Sequence, residues 1–328
     1  MVLPPRRLLL AGEAIVDLIM RVPALPARGG DLLAGSSAVQ VGGGFNVMAA
    51  AARQGMPVIY AGGHGTGPWG DLVRAALAAE GIEVLREPDR SSDTGFDVAF
   101  VEPDGERTFV TSVGAETHPG GWESVAPSSG DIVYVSGYGL VPSPAAGRPV
   151  AGGSVAGGSV AGGLDGGLGA WAAALPDGVV VFADPGPLVS DIPAATLDAV
   201  LARCDWWSCN RREAVLMTGS EDPVAAARQL LMRATRGGVL VRMGPDGCVL
   251  ATARGLVTIP APSVDAVDST GAGDAHAGVF LAGLAAGLEP EDAARRANAA
   301  AALAVTRDGP ASAPSREELT AFLSSGKG

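Results

Sequence analysis

An α/β fold with a mainly parallel sheet is the class this sequence predicts, and three observations lead to it. Apolar runs of strand length recur at Leu8–Ala11, Val58–Ala61, Ile132–Val135, Val179–Ala183, Asp205–Cys209 and Gly238–Met243. Alanine-rich stretches of helical length stand between or after them, among them Asn46–Gln54, Ala275–Leu288 and Glu291–Val305. Strands that alternate with helices pair in parallel through right-handed crossovers. The 328 residues are 47% apolar and 18% charged, which supplies a sizeable core for one large domain or two.

In chain order, Leu8–Ala11 reads as a buried strand, because Glu13 and Asp17 interrupt the apolar run too early for an export signal despite Arg6 and Arg7. Asp17 is a lone carboxylate in an apolar stretch, which a solvated strand end would also explain. Gly29-Gly30-Asp31 turns the chain, and Gly35–Val41 alternates like a strand of a small exposed sheet. Gly42–Gly44 lets the backbone pass close to a neighbour, and Asn46 opens a helix as cap, as ligand or as both.

After Val58–Ala61 comes Gly65-Thr66-Gly67-Pro68-Trp69-Gly70, which satisfies the dinucleotide pattern G-x-G-x-x-G, with Glu87 at a suitable distance. It is the basis of an alternative reading as a nicotinamide-dependent oxidoreductase. Against it, Pro68 and Trp69 crowd the turn where a pyrophosphate would lie. Asp93–Thr111 alternates through Phe96, Val98 and Phe100, with a hairpin turn at Asp104–Arg107, and Arg107 reads as a surface charge.

Val150–Gly163 repeats Val-Ala-Gly-Gly-Ser at period five; the surrounding stretch, about 147–169, reads as a flexible surface insertion without an assigned function. Val179–Ala183 ends at Asp184-Pro185, and the Gly186-Pro187 that follows leaves little direct role for Asp184. Asp205–Cys209 leads into Asn210-Arg211-Arg212-Glu213, which has the spacing of a capping box. Gly244-Pro245-Asp246-Gly247 turns the chain after Gly238–Met243, and as a hairpin turn requires no ligand.

Composition excludes several classes. With 23 basic and 35 acidic residues the net charge is −12, so neither nucleic acid nor an anionic membrane is an expected partner. No run approaches the roughly 18 apolar residues of a membrane span. Cys204, Cys209 and Cys248 have no metal-type spacing and read as reduced thiols of a cytoplasmic protein. The only lysine is Lys327, so a Walker A loop, a protein-kinase strand lysine and a Schiff-base lysine are all ruled out. Phosphate charge would have to be met by backbone N–H groups, arginine or a metal.

Asp268-Ser269-Thr270-Gly271-Ala272-Gly273-Asp274 has the make-up for that task. Two glycines before a helix let the backbone approach an anion, and the N–H groups of Gly271, Ala272 and Gly273 would point at it. Asp274, in the first turn, is well placed to take a proton from an attacking hydroxyl. A glycine-rich turn with a capping aspartate is the plainer explanation of the local sequence.

This run resembles the C-terminal signature of the ribokinase-like (PfkB) carbohydrate kinases, and Gly42-Gly43-Gly44-Phe45-Asn46-Val47-Met48-Ala49 resembles their N-terminal signature. Two motifs in the right order, with similarity over nearly the whole chain, are far more specific than either alone. The resemblance implies a single domain, 1–328, with a three-layer α/β/α core and a small β-sheet lid from segments at about 14–41 and 93–113. It implies ATP-dependent phosphorylation of a sugar or polyol hydroxyl, with nucleoside or sugar-phosphate kinases as alternatives and a non-catalytic sugar-binding regulator as a more distant one.

By the same resemblance, Asp274 is the base and Gly271–Gly273 the anion loop, while Asp17, Asp31, Gly43 and Asn46 bind the acceptor. Asn210 and Glu213 match the family N-x-x-E motif and would hold the water shell of Mg²⁺. Gly244, Gly247 and Asn298 fall at the nucleotide. Asp268, Thr270, Ala304, Arg307, Gly309 and Ser312 match a monovalent-cation (K⁺) site, mainly through carbonyl oxygens. The family also allows a homodimer through the lid. His276 departs from the phenylalanine many relatives carry two residues past the base.

Overall fold

The computed structural model describes residues 6–103, 105–117, 122, 125–141, 167–234 and 236–325. The chain forms two compact units, the first made of residues 1–118, 244–248 and 259–328, the second of 119–243 and 249–258.

In the first unit β1 (Leu8–Leu10), β4 (Val58–Tyr60) and β5 (Glu83–Val84) pair in parallel. All residues of β1 and β4 are buried, as expected for apolar runs covered on both faces. A separate four-stranded sheet runs in the order β3 (Ser36–Gly43), β2 (Ala14–Arg21), β6 (Phe96–Val101), β7 (Arg107–Ser112). Its strands span 14–43 and 96–112 of the chain, β3 running two residues past the segment expected at 14–41. The alternation expected on 93–111 is present on β6. On β6 it is Asp97, Ala99 and Val101 that are buried, whereas Phe96, Val98 and Phe100 are only half-buried. The aromatic side chains marked the alternation but not which side the rest of the unit covers.

Among the described residues, five α-helices complete this unit: α1 (Phe45–Arg53), α2 (Pro68–Ala79), α7 (Ala272–Ala285), α8 (Pro290–Ala304) and α9 (Arg316–Ser324). Past its first turn, helix α7 is buried from Ala275 to Gly283 and, His276 apart, carries only apolar residues and glycine there, as a helix covered on all sides requires. It packs against α1 and α8 through small residues, with Ala50, Ala275, Ala304 and Ala313 in one buried cluster and Val279, Ala299, Ala300 and Leu319 in another. A Cβ on Gly278 would stand 2.5 Å from the Val47 carbonyl oxygen of α1, so this glycine is what lets the two helices approach. That approach brings the start of α1 to the start of α7.

The second unit contains, in spatial order, β13 (Gly255–Ile259), β12 (Cys248–Thr252), β11 (Gly238–Arg242), β10 (Trp206–Asn210), β9 (Val180–Asp184) and β8 (Ile132–Ser136). Strands β8 to β11 are parallel, with α4 (Ala194–Arg203), α5 (Arg211–Thr218) and α6 (Pro223–Leu231) in the connections. The expected insertion at 147–169 lies mostly outside the described residues, but its last two, Leu168 and Gly169, open α3 (Leu168–Ala173) and are buried there.

Candidate active site

Two glycine-rich helix starts in the first unit answer the two nucleotide-binding readings differently. At the G-x-G-x-x-G segment, the protein's own Asp93 occupies the start of α2. Its carboxylate accepts the backbone N–H groups of Trp69 at 3.1 Å and Gly70 at 2.8 Å. A Cβ on Gly67 would stand 2.6 Å from the same carboxylate, and Trp69 packs on Phe96 with ring centres 5.8 Å apart. The glycines there serve close packing, and the anion position is filled from within.

At α7 no side chain caps the helix. Gly271, the N-cap, has φ 71°, a left-handed conformation that favours glycine. A Cβ on it would also collide with the Pro310 carbonyl, so the loop before α7 lies directly against the chain at 310. The loop is braced further back. Asp268 accepts the N–H and hydroxyl of Thr270 (2.9 and 2.6 Å) and the N–H of Gly309 (3.2 Å). These bonds hold its carboxyl below the usual range although burial opposes them. The backbone N–H groups of Val267 and Asp268 donate to the Val305 carbonyl at the end of α8.

Asp274 lies in the first turn of α7 and is half-buried. The amide of Asn46, in the first turn of α1, donates to its carboxylate at 3.0 Å. The two signature motifs, 228 residues apart in sequence, therefore meet side chain to side chain. Gly42 and Gly44 make the N-terminal motif fit. A Cβ on Gly42 would collide with the Asp17 carboxylate, and one on Gly44 would stand 2.7 Å from the Glu13 carbonyl. Gly43 has φ 61° and turns the chain from β3 towards α1.

Asp17 is buried, and its carboxyl is pushed up to about 8, first by burial, then by the charges of Asp97 and Asp274. Asp97, which the sequence reading did not single out, stands beside it in the parallel register of β2 and β6. Its carboxyl is raised to about 6 by burial. The signal was present in Phe96-Asp97-Val98, a carboxylate inside an apolar alternation.

The remaining sequence-predicted positions fall in three groups. Asp31 is exposed, accepts the N–H of Leu32 at 2.9 Å, and is not gathered with Asp17, Asn46 and Asp274. Gly247 and Asn298 converge on one stretch of backbone. A Cβ on Gly247 would collide with the Ile259 carbonyl, and the Asn298 amide donates to the carbonyls of Ile259 (2.9 Å) and Pro260 (3.2 Å). Gly244 has φ 61° and open space around it, and His276 is buried in α7. Around the expected monovalent-cation positions, the Ala304 carbonyl accepts the Arg307 N–H at 3.1 Å and the Ser312 carbonyl accepts its guanidinium at 3.3 Å.

Arg107 is more than a surface charge. It reaches from β7 to donate to the Ser269 hydroxyl, while Arg21 of β2 donates to Asp308 at 2.7 Å and Asp268 at 3.5 Å. Two arginines thus tie the small sheet to the loops beside α7.

In the second unit Asn210 and Glu213 form a complete capping box at the start of α5, with Glu213 N–H to Asn210 Oδ1 at 2.9 Å and Asn210 N–H to Glu213 Oε2 at 2.7 Å. Helix capping is therefore present, as their spacing allowed. It does not exhaust Glu213, which is buried, lies 3.8 Å from Arg242, and has its carboxyl raised by burial and by Asp184. Arg242 also pairs with Asp184 and donates to Ser208 at 2.8 Å. The structure places Asp184 and Arg242 at strand ends beside Asn210, a grouping the sequence reading did not foresee.

Comparison with known proteins gives this arrangement its class. The model of the pfkB family carbohydrate kinases matches residues 6–150 and 170–317. A sugar kinase of Escherichia coli K12, YegV, is 34% identical over 95% of this chain and 92% of its own length. The ATP-dependent ribose-1-phosphate kinase of Halopiger xanaduensis is 29% identical over 97% and 98%. The Arabidopsis thaliana ribokinase structure, complexed with ribose and ATP, superposes with a TM-score of 0.73 at 23% identity, covering 98% and 99% of the two chains. The fold is ribokinase-like, an α/β core with a mainly parallel sheet and a small second sheet. The chain belongs to the pfkB family of carbohydrate kinases, and it is an ATP-dependent sugar kinase. Among the described residues no helix is long and apolar enough to cross a membrane, and Cys204, Cys209 and Cys248 are free and buried.

Proposed function

We propose that the enzyme transfers the γ-phosphoryl group of ATP to a hydroxyl of a sugar or related polyol, with Asp274 as general base. The observation that carries this reading is the Asn46–Asp274 hydrogen bond at the uncapped start of α7. It fixes a half-buried carboxylate at a helix start whose N-cap is a glycine; of the loop N–H groups, that of Ala272 donates to the Ser269 carbonyl at 3.3 Å. The acceptor hydroxyl gives its proton to Asp274 as its oxygen bonds to the γ-phosphorus and the bond to the departing ADP breaks. The N–H groups of Gly271, Ala272 and Gly273 hold the charge on the moving phosphoryl, and preorganised donors of this kind are worth about 10²–10³ in rate each. Asp17, Gly43 and Asn46 hold the acceptor, and Asp31 joins them only if its loop moves inward. Gly244, Gly247 and Asn298 line the nucleotide end.

Mg²⁺ neutralises the ATP phosphates when bound, and we assign its water shell to Asn210 and Glu213. The chemistry of the donor set fits: the cap and Arg242 fix the Glu213 carboxylate in one orientation. The reading also places a monovalent cation near Asp268, Thr270, Ala304, Arg307, Gly309 and Ser312, where it would share the Ala304 and Ser312 carbonyls with Arg307. We also assign the enzyme to the cytoplasm and take the small sheet as the face of a homodimer; Phe109 and Val110 of β7 and Val39 of β3 are exposed on it.

The test is ATP turnover with a panel of free sugars, nucleosides and sugar phosphates in the presence of Mg²⁺. Acceptor-dependent ADP release with at least one of them is expected. Release that no acceptor stimulates would contradict the reading.

A further inference from the structure

The acceptor side of the site has hydrogen-bond acceptors in excess. Asp17 and Asp97 are direct partners across parallel strands, so their side chains leave the same face of the sheet. That face is the covered one: Asp17 is 7% and Asp97 8% exposed. Among the described residues neither carboxylate has an ion-pair partner, and Asp97 Oδ1 has no hydrogen bond. Asn46 Oδ1, on a different element, is likewise buried without a partner, while the other end of its amide serves Asp274. Buried acceptors left unmatched cost folding free energy, and a chain retains them where a ligand supplies the donors. The Asp17 carboxylate lies over Gly42, four residues before Asn46, so the pair stands beside the N-terminal signature that holds Asp274.

Resting on the kinase reading above, we propose that Asp97 is a second acceptor-binding carboxylate. With Asp17 it forms a clamp for two hydroxyls of an uncharged polyol and excludes acceptors that already carry phosphate or carboxylate. The Asp97 carboxylate is acceptor-only, and a protonated Asp17 carboxyl keeps acceptor capacity beside its one O–H, so the hydroxyls of a polyol supply the donors the site lacks. An anionic group about 5 Å from the Asp97 carboxylate would be disfavoured by about 10²-fold at an effective dielectric of about 20. Gly42 belongs to the same device, since any side chain there would displace Asp17.

The experiment compares wild type, Asp97→Asn and Asp97→Ala. Turnover with MgATP is measured on D-ribose, D-fructose, D-glucose, D-glucosamine, adenosine, ribose 1-phosphate and fructose 6-phosphate. Sugar and ATP dissociation constants and melting temperature are measured alongside. In wild type a free neutral sugar is the best acceptor, and both variants raise its KM and Kd by about 10–100-fold, the worth of a hydrogen bond to a charged group. The ATP Kd is unchanged. The melting temperature of ligand-free Asp97→Asn rises, whereas loss of a merely structural carboxylate would lower it.

An unchanged sugar KM and Kd in both variants overturns the proposal, as does a wild-type preference for the phosphorylated sugars or for glucosamine over glucose. If no acceptor is turned over but a neutral sugar binds wild type and not Asp97→Asn, the kinase reading fails and the clamp stands. If no sugar binds wild type, both fail.

Discussion

Replacing Asp17 with asparagine is expected to stabilise the ligand-free protein, and to do so more as pH rises. The folded protein holds this carboxyl at about 8 against an ordinary 3.8, chiefly because burial disfavours the charge and next because Asp97 and Asp274 repel it. A group whose ionisation is raised by folding costs nothing below its unfolded value; stability is lost as pH climbs from 3.8 and levels off above 8. Each pH unit in that window is worth about 1.4 kcal/mol. Between pH 5 and pH 8 the loss is therefore about 4 kcal/mol at most. For a chain of this size unfolding as a whole, 1 kcal/mol moves the melting temperature by about 1.5 °C. The gain of Asp17→Asn over wild type should thus be larger at pH 8 than at pH 5 by as much as about 6 °C. Differential scanning calorimetry at the two pH values, without sugar or nucleotide, is the assay. An equal gain at both pH values, or a loss at pH 8, would refute the view that this carboxylate is held at the cost of stability.

Three further substitutions probe other parts of the site. Gly42→Ala places a methyl group on the Asp17 carboxylate, and sugar KM should rise about tenfold or more with ATP Kd unchanged; a normal KM would mean that Asp17 does not touch the acceptor. Asn210→Ala should raise the Mg²⁺ concentration needed for half-maximal turnover while costing about 1 kcal/mol for the lost cap. Glu213→Ala should do both more strongly, because it also removes one of the two carboxylates around buried Arg242. Lower stability with an unchanged Mg²⁺ profile in both would reduce the pair to a helix cap.

Much of the fold was legible because it rests on local pattern. Ile132–Val135 and Val58–Ala61 are buried runs with little else to be, and Ala275–Leu288 is too long and apolar for anything but a core helix. The two signatures were legible for a different reason. Gly271 and Gly43 occupy left-handed backbone, and Gly42 and Gly44 stand where a Cβ would meet Asp17 or Glu13, so their identities are dictated by geometry. Less visible was whatever depends on which face of an element the rest of the chain covers. Alternation through Phe96, Val98 and Phe100 does not say which face is covered, and here the covered face carries Asp97, Ala99 and Val101. Arg107 and Arg242 are ordinary arginines until long-range packing brings Ser269 and Asp184 to them. The dinucleotide decoy could be dismissed only in part from Pro68 and Trp69. The decisive residue, Asp93, lies 24 positions beyond Trp69 and carries no local mark.

The central claim is that Asp274 accepts the proton of the attacking hydroxyl, and kcat of Asp274→Asn tests it most directly. The amide keeps the shape of the carboxylate and can still accept from Asn46, so the fold is preserved while the base is lost. General-base catalysis contributes about 10²–10⁴-fold, and kcat with the best sugar should fall by at least that factor. The ATP dissociation constant should hold or improve, since a negative charge beside the phosphates is removed. Near-wild-type turnover in Asp274→Asn would contradict the mechanism.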